Sequence, residues 1–434
     1  MITYKEDKLL KDKNSIYACL VKKKDIKDKN FTLRTPTLNI KNKDIIIKLT
    51  KKKYGNFDKG FLEFIKNLEV YTKIKFVSIY KAKYRYLKLF NKSKANIIFL
   101  RVISLCLNES LFGDVIEINN LRLCPKKINR NISYLVGVIN GDGHLRKSET
   151  LLEITDGQSD KEKLKSSKEY FEIIDELIKK EFNVSGKKFK TENEWRYHLN
   201  NKWLCRYINY FFKVPFGRKS EIIYFPNNLK KYESEFWRGI MDTDGFIDEK
   251  TKSIKIKSNS NKLIKQFEGF CSRNKISFYT KEEKEAKAVN LFSESLYKYA
   301  EVIGFSHPRK KNILIQHLKR GPNYKVLISY NKDFDRDTIH LLKYLRPYKK
   351  NITYIKQGLY HQNGSKEETK KLIKNIEERF KIEATEVKRP RRSNHFYICS
   401  EKFRKFLIEN VIYGLPWQPL NKQELNNISR RWIL

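Results

Sequence analysis

The sequence lacks the features that would place a protein in a membrane or direct it out of the cell. It has no run of 18 or more apolar residues and therefore predicts no transmembrane helix. Its lysine-rich N-terminus lacks the apolar centre of a secretion signal and is too acidic for a transit peptide. We expect a protein that acts away from membranes, in a prokaryotic cytoplasm on the nucleoid; an organellar location stays open.

Cysteine is sparse and irregularly placed. The six cysteines, at positions 19, 106, 124, 205, 271 and 399, show no CxxC spacing. This pattern argues against a zinc site and against a disulfide framework, and it fits a reducing compartment. We expect most of these thiols to be small core residues.

Acidic residues are too few to balance the basic ones. The chain has 50 Asp and Glu against 92 Lys and Arg, which leaves a formal net charge of +42. Such a chain repels itself unless a polyanion lies against it, and nucleic acid is the natural partner because each neutralised phosphate releases a counterion. An AT-rich genome would explain part of the lysine content, but it would not explain the shortage of acids. Because 40% of the residues are hydrophobic, the chain can still form a folded core.

Two segments of the chain share one pattern. Two similar segments are YLVGVINGDGHL (134–145) and FWRGIMDTDGFI (236–247). Each begins with an apolar stretch that predicts a helix, and this stretch is followed by an aspartate and a glycine. After each segment, the alternating and amphipathic stretches predict the same order of hairpin, helix, hairpin and helix. Residues 131–225 and 233–320 are therefore predicted to be two copies of one α-β-β-α-β-β-α unit.

The predicted fold class is α+β, with two pseudo-symmetric halves that contain antiparallel sheets. The segments that close the halves also match, VPFGRKSEII (214–223) with IGFSHPRKKNIL (303–314). The basic flanks repeat a β-α-β-β-α order without the Gly-Asp-Gly motif, so we expect α/β flanking domains that are degenerate copies. The predicted domains are an N-terminal flank 1–125, a first half 126–230, a second half 231–322 and a C-terminal flank 323–434.

The spacing of small residues predicts that the two motif helices pack side by side. Gly137 and Gly141 are four residues apart, and Gly239 and Thr243 repeat this spacing, which lets two helix backbones approach closely. Such packing would bring the aspartates that follow these helices together. A carboxylate at a helix C-terminus is electrostatically unfavourable. Divalent cations would resolve the conflict, because Mg²⁺ prefers carboxylate, carbonyl and water oxygens, and two metals can promote phosphodiester hydrolysis.

The two motifs resemble those of a known family. LVGVINGDG (135–143) and WRGIMDTDG (237–245) are similar to the signature motifs of LAGLIDADG homing endonucleases, in the single-chain form with two halves. The resemblance covers roughly residues 131–320. It implies a monomer that makes metal-dependent double-strand breaks in a long DNA site. It also implies that the two curved antiparallel sheets form a DNA-binding saddle, each sheet lying in the major groove.

The resemblance assigns roles to the ends of both motifs. By position, Asp142 and Asp244 correspond to the metal-binding acids, and Gly141 and Thr243 are predicted to lie at the same metal site. The implied cofactor is Mg²⁺, or Mn²⁺ in its place. The resemblance therefore predicts a catalytic centre formed equally by the two halves.

Two further positions are implied by the same family pattern. The sixth motif position, which is not a metal ligand in the family, is Asn140 in the first motif and Asp242 in the second. A lysine from the closing segment often approaches the centre in the family. Lys219 is the candidate in the first half, and Lys310 or Lys311 is the candidate in the second.

The family often places a polar or basic residue at the base of the second strand, near the attacking water. The corresponding positions are Asp156 or Gly157 in the first half and Ser258 or Asn259 in the second. Neither half has the common Gln or Lys there, which puts the positioning of the water and the efficiency of cleavage in question. We expect His307, which precedes a proline, to shape the closing turn.

The predicted strands carry side chains that suit the reading of DNA. Arg and Lys match guanine edges, and Asn matches adenine. Only alternate residues of a strand can share one face, so a subset must face the groove. His144 is expected to begin a strand on this face. The predicted DNA-binding residues are Arg146, Lys147, Lys188, Lys190, Arg196, Lys255, Lys257 and Lys281.

Three functions remain open at this point. The first is a site-specific, monomeric endonuclease acting on double-stranded DNA. The second is an RNA-binding maturase that helps an intron fold, and the third is a DNA-binding regulator that does not cleave. Retention of both aspartates favours the enzyme. An intein origin is not expected, because the chain begins with Met and does not end in His-Asn.

Overall fold

The structure is a computed structural model of the chain. It describes residues 116–321, apart from 125–126, 158–160, 284–285 and 292–294, together with residues 418–432 and short segments outside these ranges. The predicted α+β class with antiparallel sheets is confirmed. Among the described helices, none is both long and apolar enough to cross a bilayer.

The first half has the predicted order of elements. It follows a short hairpin, and its first helix begins at Arg130 because the Asn129 side chain accepts a hydrogen bond from the Ile132 amide at 3.0 Å. The elements are β1 Ile116–Ile118, β2 Leu121–Leu123, α1 Arg130–Asn140, β3 Gly143–Leu145, β4 Leu151–Gly157, α2 Lys161–Phe182, β5 Lys187–Lys190, β6 Glu194–Asn200 and α3 Lys202–Phe212.

The second half repeats this order after a 3₁₀ turn at Asn227–Tyr232. Its elements are α4 Glu233–Thr243, β7 Gly245–Ile247, β8 Ile254–Ser258, α5 Asn261–Arg273, β9 Phe278–Glu283, β10 Ala286–Leu291, α6 Leu296–Val302 and α7 Pro308–Arg320. The last helix was not predicted; it begins where Pro308 supplies a preset backbone angle at the first helical position.

Each half contains one four-stranded antiparallel sheet. The strand order is β3-β4-β6-β5 in the first half and β9-β10-β8-β7 in the second, so the two short strands after the motif helices occupy equivalent edges. One face of each sheet is covered by helices and is apolar. The residues buried there include Leu152, Ile154, Tyr197, Ile254, Ile256 and Val289.

Helices α1 and α4 pack against each other at the junction of the halves, and their glycines permit the close approach. A Cβ atom on Gly137 would lie 2.2 Å from the Phe236 carbonyl oxygen, and one on Gly239 would lie 2.3 Å from the Tyr134 carbonyl oxygen. These distances are far below van der Waals contact, so any larger residue would force the helices apart. The apolar residues of both halves join in one buried cluster around this pair.

The C-terminal segment packs on the second half. Residues 418–432 include a helix, Lys422–Arg430, whose N-terminus is closed by reciprocal hydrogen bonds of Asn421 and Glu424. Trp432 is buried, and its indole Nε1 donates to the Ala300 carbonyl oxygen at 2.7 Å. The segment therefore belongs to the folded unit that carries the second motif.

The flanking predictions lie mostly outside the described residues. In the C-terminal flank, the predicted helix is present at Lys366–Phe380, and the two predicted strands after it pair antiparallel, Thr385–Val387 with His395–Tyr397. In the N-terminal flank, Thr37–Asn39 pairs with Lys94–Asn96. The domain boundaries and the relation of the flanks to the halves stay predictions.

Candidate active site at the junction of the halves

The packing of α1 against α4 brings the two motif aspartates to adjacent helix ends. A Cβ atom on Gly141 would lie 1.9 Å from Thr243 Oγ1 and 3.5 Å from Asp244 Oδ2. The carboxylate of Asp244 therefore lies beside the residue that precedes Asp142. The two halves thus contribute one acid each to a single site, as the spacing of small residues predicted.

Both carboxyl groups are held in surroundings that disfavour their charge. Asp142 reaches solvent, yet the protein around it displaces much of its hydration, and this desolvation together with the charge of Asp244 raises its pKa to about 7. Desolvation likewise raises the pKa of Asp244, although the ammonium groups of Lys219 and Lys310 oppose the shift. The pair is therefore poised to gain from a bound cation.

Lys219 lies at the C-terminal end of α1, close to both aspartates. Its Nζ donates to the carbonyl oxygens of Ile139 at 2.7 Å and Asn140 at 2.6 Å, and also to that of Gly141. These are carbonyls at the end of α1, which have no partner within the helix. Burial lowers the pKa of Lys219 to about 8 while the nearby aspartates work against the shift.

Lys310 takes the same place at the end of α4. Its Nζ donates to the carbonyl oxygens of Met241 at 3.1 Å, Asp242 at 2.7 Å, Thr243 at 2.9 Å and Gly245 at 2.6 Å. Burial lowers its pKa below the ordinary lysine value. The predicted choice between Lys310 and its neighbour in the sequence is therefore resolved geometrically in favour of Lys310.

The oxygen atoms at the site fit a divalent cation. Two carboxylates and two main-chain carbonyls, those of Gly141 and Thr243, are the ligand types that Mg²⁺ accepts. Each of these carbonyls already accepts a lysine proton, but a carbonyl oxygen has a second lone pair. Within the part of the chain that the structure describes, no three His, Cys, Asp or Glu side chains cluster around one point.

The sixth motif position has a structural role in the second half. Asp242 is buried, and it accepts hydrogen bonds from the Tyr134 hydroxyl at 2.7 Å and from the Ser306 amide at 3.1 Å. It therefore links α4 to helix α1 of the other half and to the closing segment. The equivalent Asn140 donates to the Val136 carbonyl oxygen at 3.1 Å within its own helix.

The base of the second strand differs between the halves. Asp156 in the first half is 3.1 Å from His307 Nε2, an atom of the closing segment of the second half. Burial acts to raise the pKa of Asp156, but the hydrogen bond from His307, together with Ser167 and the charge of Lys310, outweighs it, and the pKa is lowered. Ser258 holds the equivalent position in the second half, and its hydroxyl accepts the Ser260 amide at 3.1 Å.

Each sheet has a second face that carries polar and aromatic side chains. In the first half, the strand register places four of these side chains in one row across the sheet, and the second half has an equivalent row. The first row is His144, Glu153, His198 and Lys187, and the second is Phe246, Lys255, Asn290 and Tyr279. We call these two surfaces the open faces.

The predicted DNA-binding residues divide between the two sides of the sheets. Arg196 lies on the open face of the first half, and Arg146 reaches it, 3.2 Å from Glu153; Lys147 is exposed and packs on Gly217. On the second half, the register places three predicted lysines on the open face, Lys255, Lys257 and Lys281.

Two of the predicted DNA-binding residues face the other way. Lys188 pairs in register with the buried Tyr197, and its ammonium contacts Glu172 and Asp175 of α2. Lys190 is two residues further along β5, so its side chain lies on the same side as Lys188 and also points away from the open face. The prediction that these two residues contact DNA from the open face is corrected. Successive residues of β5 point to opposite sides of the sheet, and Lys187 is the one that lies on the open face.

The second half matches the model of a known protein family. Residues 231–304 match the family model of the LAGLIDADG-like domain. The second half is therefore similar to LAGLIDADG-like domains. The resemblance drawn from the two motifs is thereby confirmed.

Individual proteins similar to this chain cover part of it. Over 166 residues it is 27% identical to the glutamine–fructose-6-phosphate aminotransferase of Methanocaldococcus jannaschii, across 37% of this chain and 14% of that protein. The structure of the homing endonuclease I-WcaI bound to its DNA recognition sequence aligns with 43% of this chain and 85% of its own, at 14% identity and a TM-score of 0.33. The structure of I-DmoI in complex with DNA and Ca aligns with 43% of this chain and 98% of its own, at 18% identity and a TM-score of 0.32.

Two exposed aromatic side chains of the second half were not singled out from the sequence. Phe246 is 48% exposed and Tyr279 is 50% exposed, and the register places both on the open face. Phe246 directly follows the second Gly-Asp-Gly-like motif, at the position that His144 occupies after the first. The repeat itself was the signal that would have identified this position.

Proposed function

We propose that this chain is a monomeric, site-specific DNA endonuclease that makes double-strand breaks in a long target, using Mg²⁺ or Mn²⁺. The observation that carries the proposal is the meeting of Asp142 and Asp244 at the adjacent ends of α1 and α4. One acid comes from each half, so a single chain completes the site. The proposal also takes cytoplasmic DNA as the target.

The charge of the molecule supports DNA as the substrate. The chain carries +42 net charges, and the open faces on either side of the site present several lysines and arginines. Phosphate contacts from such residues provide affinity, whereas side chains in register on a strand can read base edges. We propose that both open faces contact the duplex and that the scissile phosphates lie over the two aspartates.

The side chains at the centre have separable tasks in this proposal. Asp142 and Asp244, with the carbonyls of Gly141 and Thr243, would hold the cations. When bound, divalent cations polarise the phosphate and stabilise charge on the leaving oxygen. Lys219 and Lys310 hold the helix ends in place and put positive charge beneath the acids, which limits their mutual repulsion.

The test is a cleavage screen. Supercoiled plasmids that carry the sequences flanking the gene, and a randomised library, are incubated with the full chain in Mg²⁺, in Mn²⁺ or in EDTA. We expect linear product from one defined site with metal and none in EDTA. Asp248→Asn serves as the matched control, because it makes the same change at an exposed turn of the second half, where an amide can still accept from the Lys250 amide.

Binding without cleavage would instead support a function in nucleic-acid binding alone. One structural observation favours that function, because Lys219 and Lys310 already donate hydrogen bonds to the carbonyls proposed to face the metal. A gel-shift series with DNA and with intron RNA, run beside the cleavage screen, distinguishes a DNA-binding regulator from an RNA-binding maturase. Cleavage at a defined site would exclude both as the sole function.

A further inference from the structure

The closing segments of the two halves cross over at the centre. The segment after α3 contacts the second half, where Ser260 Oγ donates to the Ile223 carbonyl oxygen at 2.6 Å. The start of α7 contacts the first half, where the Arg309 amide donates to Ser166 Oγ at 3.2 Å. Each half is therefore braced by the segment that closes the other.

Near the crossings, equivalent strand positions differ in chemistry. Gly143 pairs with Ile154 and Gly245 pairs with Ile256, so Asp156 and Ser258, each two residues further on, are equivalent. Asp156 is contacted by His307 from the closing segment of the other half, whereas the Ser258 hydroxyl accepts a hydrogen bond from the Ser260 amide of its own half. The first of these positions thus carries a carboxylate and the second does not.

The Asp156–His307 pair is firmly held. The His307 side chain is 3% exposed and that of Asp156 is 12% exposed. The imidazole stacks on the Tyr170 ring, with 4.6 Å between centroids. His307 Nδ1 has no hydrogen-bond partner within the described residues, so the tautomer with the proton on Nε2, which donates to Asp156, fits this geometry.

The charge of Asp156 acts on the catalytic centre from one side. Asp156 interacts electrostatically with Asp142 and with Lys310. Ser258 carries no charge and offers no such interaction in the other half. A further negative charge near a cation site strengthens cation binding, and it does so most where water is partly excluded.

We propose that Asp156, held by His307, is a positioning residue that strengthens cation binding on one side of the centre, so that the two DNA strands are cut at unequal rates. This inference rests on the proposed endonuclease function. The strand on the Asp156 side is cut first, and the nicked duplex is the intermediate. Unequal cutting follows from this one difference between otherwise equivalent positions.

The test resolves the two strands. A duplex target, labelled on one strand or the other, is cleaved by the wild-type chain and by Asp156→Asn over a range of Mg²⁺ concentrations. We expect the variant to need about 10-fold more Mg²⁺ for half-maximal cutting of the strand that the wild type cuts first, as for other residues that support metal ligands. The other strand is expected to keep its Mg²⁺ dependence.

Two further variants distinguish a positioning role of Asp156 from a loss of folding in Asp156→Asn. His307→Gln can keep a hydrogen bond to Asp156, so it should change the Mg²⁺ requirement less than Asp156→Asn does. Glu172→Gln removes an exposed carboxylate of the same half and should leave the ratio of strand rates unchanged. Calorimetric titration of Mg²⁺ into the full chain gives a readout without cleavage, in which Asp156→Asn should weaken one binding event about 10-fold.

A transplant variant makes the test reciprocal. Ser258→Asp installs a carboxylate at the equivalent position of the second half and should bring the two strand rates closer together. Equal strand rates in the wild type, or equal slowing of both strands in Asp156→Asn, would overturn the inference while leaving the endonuclease intact. A wild-type chain that cuts no DNA under any metal would overturn the proposed function itself.

Discussion

Lys219 and Lys310 occupy equivalent positions, each donating its ammonium protons to the carbonyls at the end of the helix that precedes a motif aspartate. Each lysine comes from the closing segment of its own half. The arrangement offsets the negative end of the helix dipole at the point where the carboxylate adds to it. The carboxylates can therefore sit close together without cations in the folded state.

The first prediction concerns the stability that these lysines supply. Lys310→Met should lower the free energy of unfolding by about 3 kcal/mol, because buried carbonyls lose a charged donor. Lys219→Met should cost less, since Lys219 is half-buried and makes fewer such bonds, whereas Lys310 is 5% exposed. Urea unfolding in EDTA measures both, with the open-face variant Lys257→Met as control. An effect of Lys310→Met no larger than that control would contradict this role.

The second prediction concerns the helix contact. Gly137→Ala and Gly239→Ala should each destabilise the chain by at least about 2 kcal/mol, because the added methyl group would meet main-chain atoms of the facing helix. Gly269→Ala is the matched control within α5, where the nearest atom is 3.4 Å away on a flexible arginine. It should be neutral or stabilising by up to about 1 kcal/mol. If thermal unfolding showed the same change in stability for all three variants, this result would argue against tight packing at the junction.

The third prediction concerns pH. The pKa of Asp142 rises from 3.8 to about 7 on folding, through desolvation by the surrounding protein and the charge of Asp244. A raised folded-state pKa contributes stability that is fully present below pH 3.8 and is lost as the pH rises through 7. In EDTA, the wild type should therefore lose stability between pH 4 and 8 relative to Asp142→Asn.

Mg²⁺ should bind more tightly over the same pH range, because the carboxyl group must release its proton first. Urea unfolding at several pH values, with and without Mg²⁺, measures both trends. Parallel pH profiles for the wild type and Asp142→Asn would show that this carboxyl is not the group that titrates.

The fourth prediction concerns the open faces. Lys281→Ala should weaken DNA binding and reduce the slope of log K against log salt concentration by about 1, as expected for one lost phosphate contact. Lys188→Ala is the control, because Lys188 lies on the helix-covered face beside Glu172 and Asp175. Fluorescence anisotropy over a salt series measures both slopes. A larger change for Lys188 than for Lys281 would mean that DNA lies on the other side of the sheet.

The central features of this site could be predicted from the sequence because they depend on local order. The four-residue spacing of Gly137 and Gly141, repeated by Gly239 and Thr243, predicted the contact between α1 and α4. The acids followed these helices directly, so their meeting required no long-range information. The family resemblance pointed to Lys219, and to Lys310 or Lys311, in the closing segments, although the hydrogen bonds of Lys219 and Lys310 to helix-end carbonyls became visible only in the structure.

Features that depend on pairing between distant segments could not be predicted. Asp156 and His307 are 151 residues apart, and neither lies in a pattern that points to the other. The faces of β5 could not be inferred at Lys188, because a four-residue strand of mostly lysine shows no alternation of polar and apolar side chains. A shift of one residue moves every side chain of such a strand to the opposite face.

The most direct test of the account compares Asp142→Asn and Asp244→Asn with the wild type in Mg²⁺-dependent cleavage and in DNA binding on the same target. Each substitution removes a carboxylate charge at the junction while keeping the size of the side chain. We predict that both variants lose double-strand cleavage and still bind DNA with near wild-type affinity. Full cleavage by either variant would contradict the assignment of the two aspartates as the shared catalytic centre.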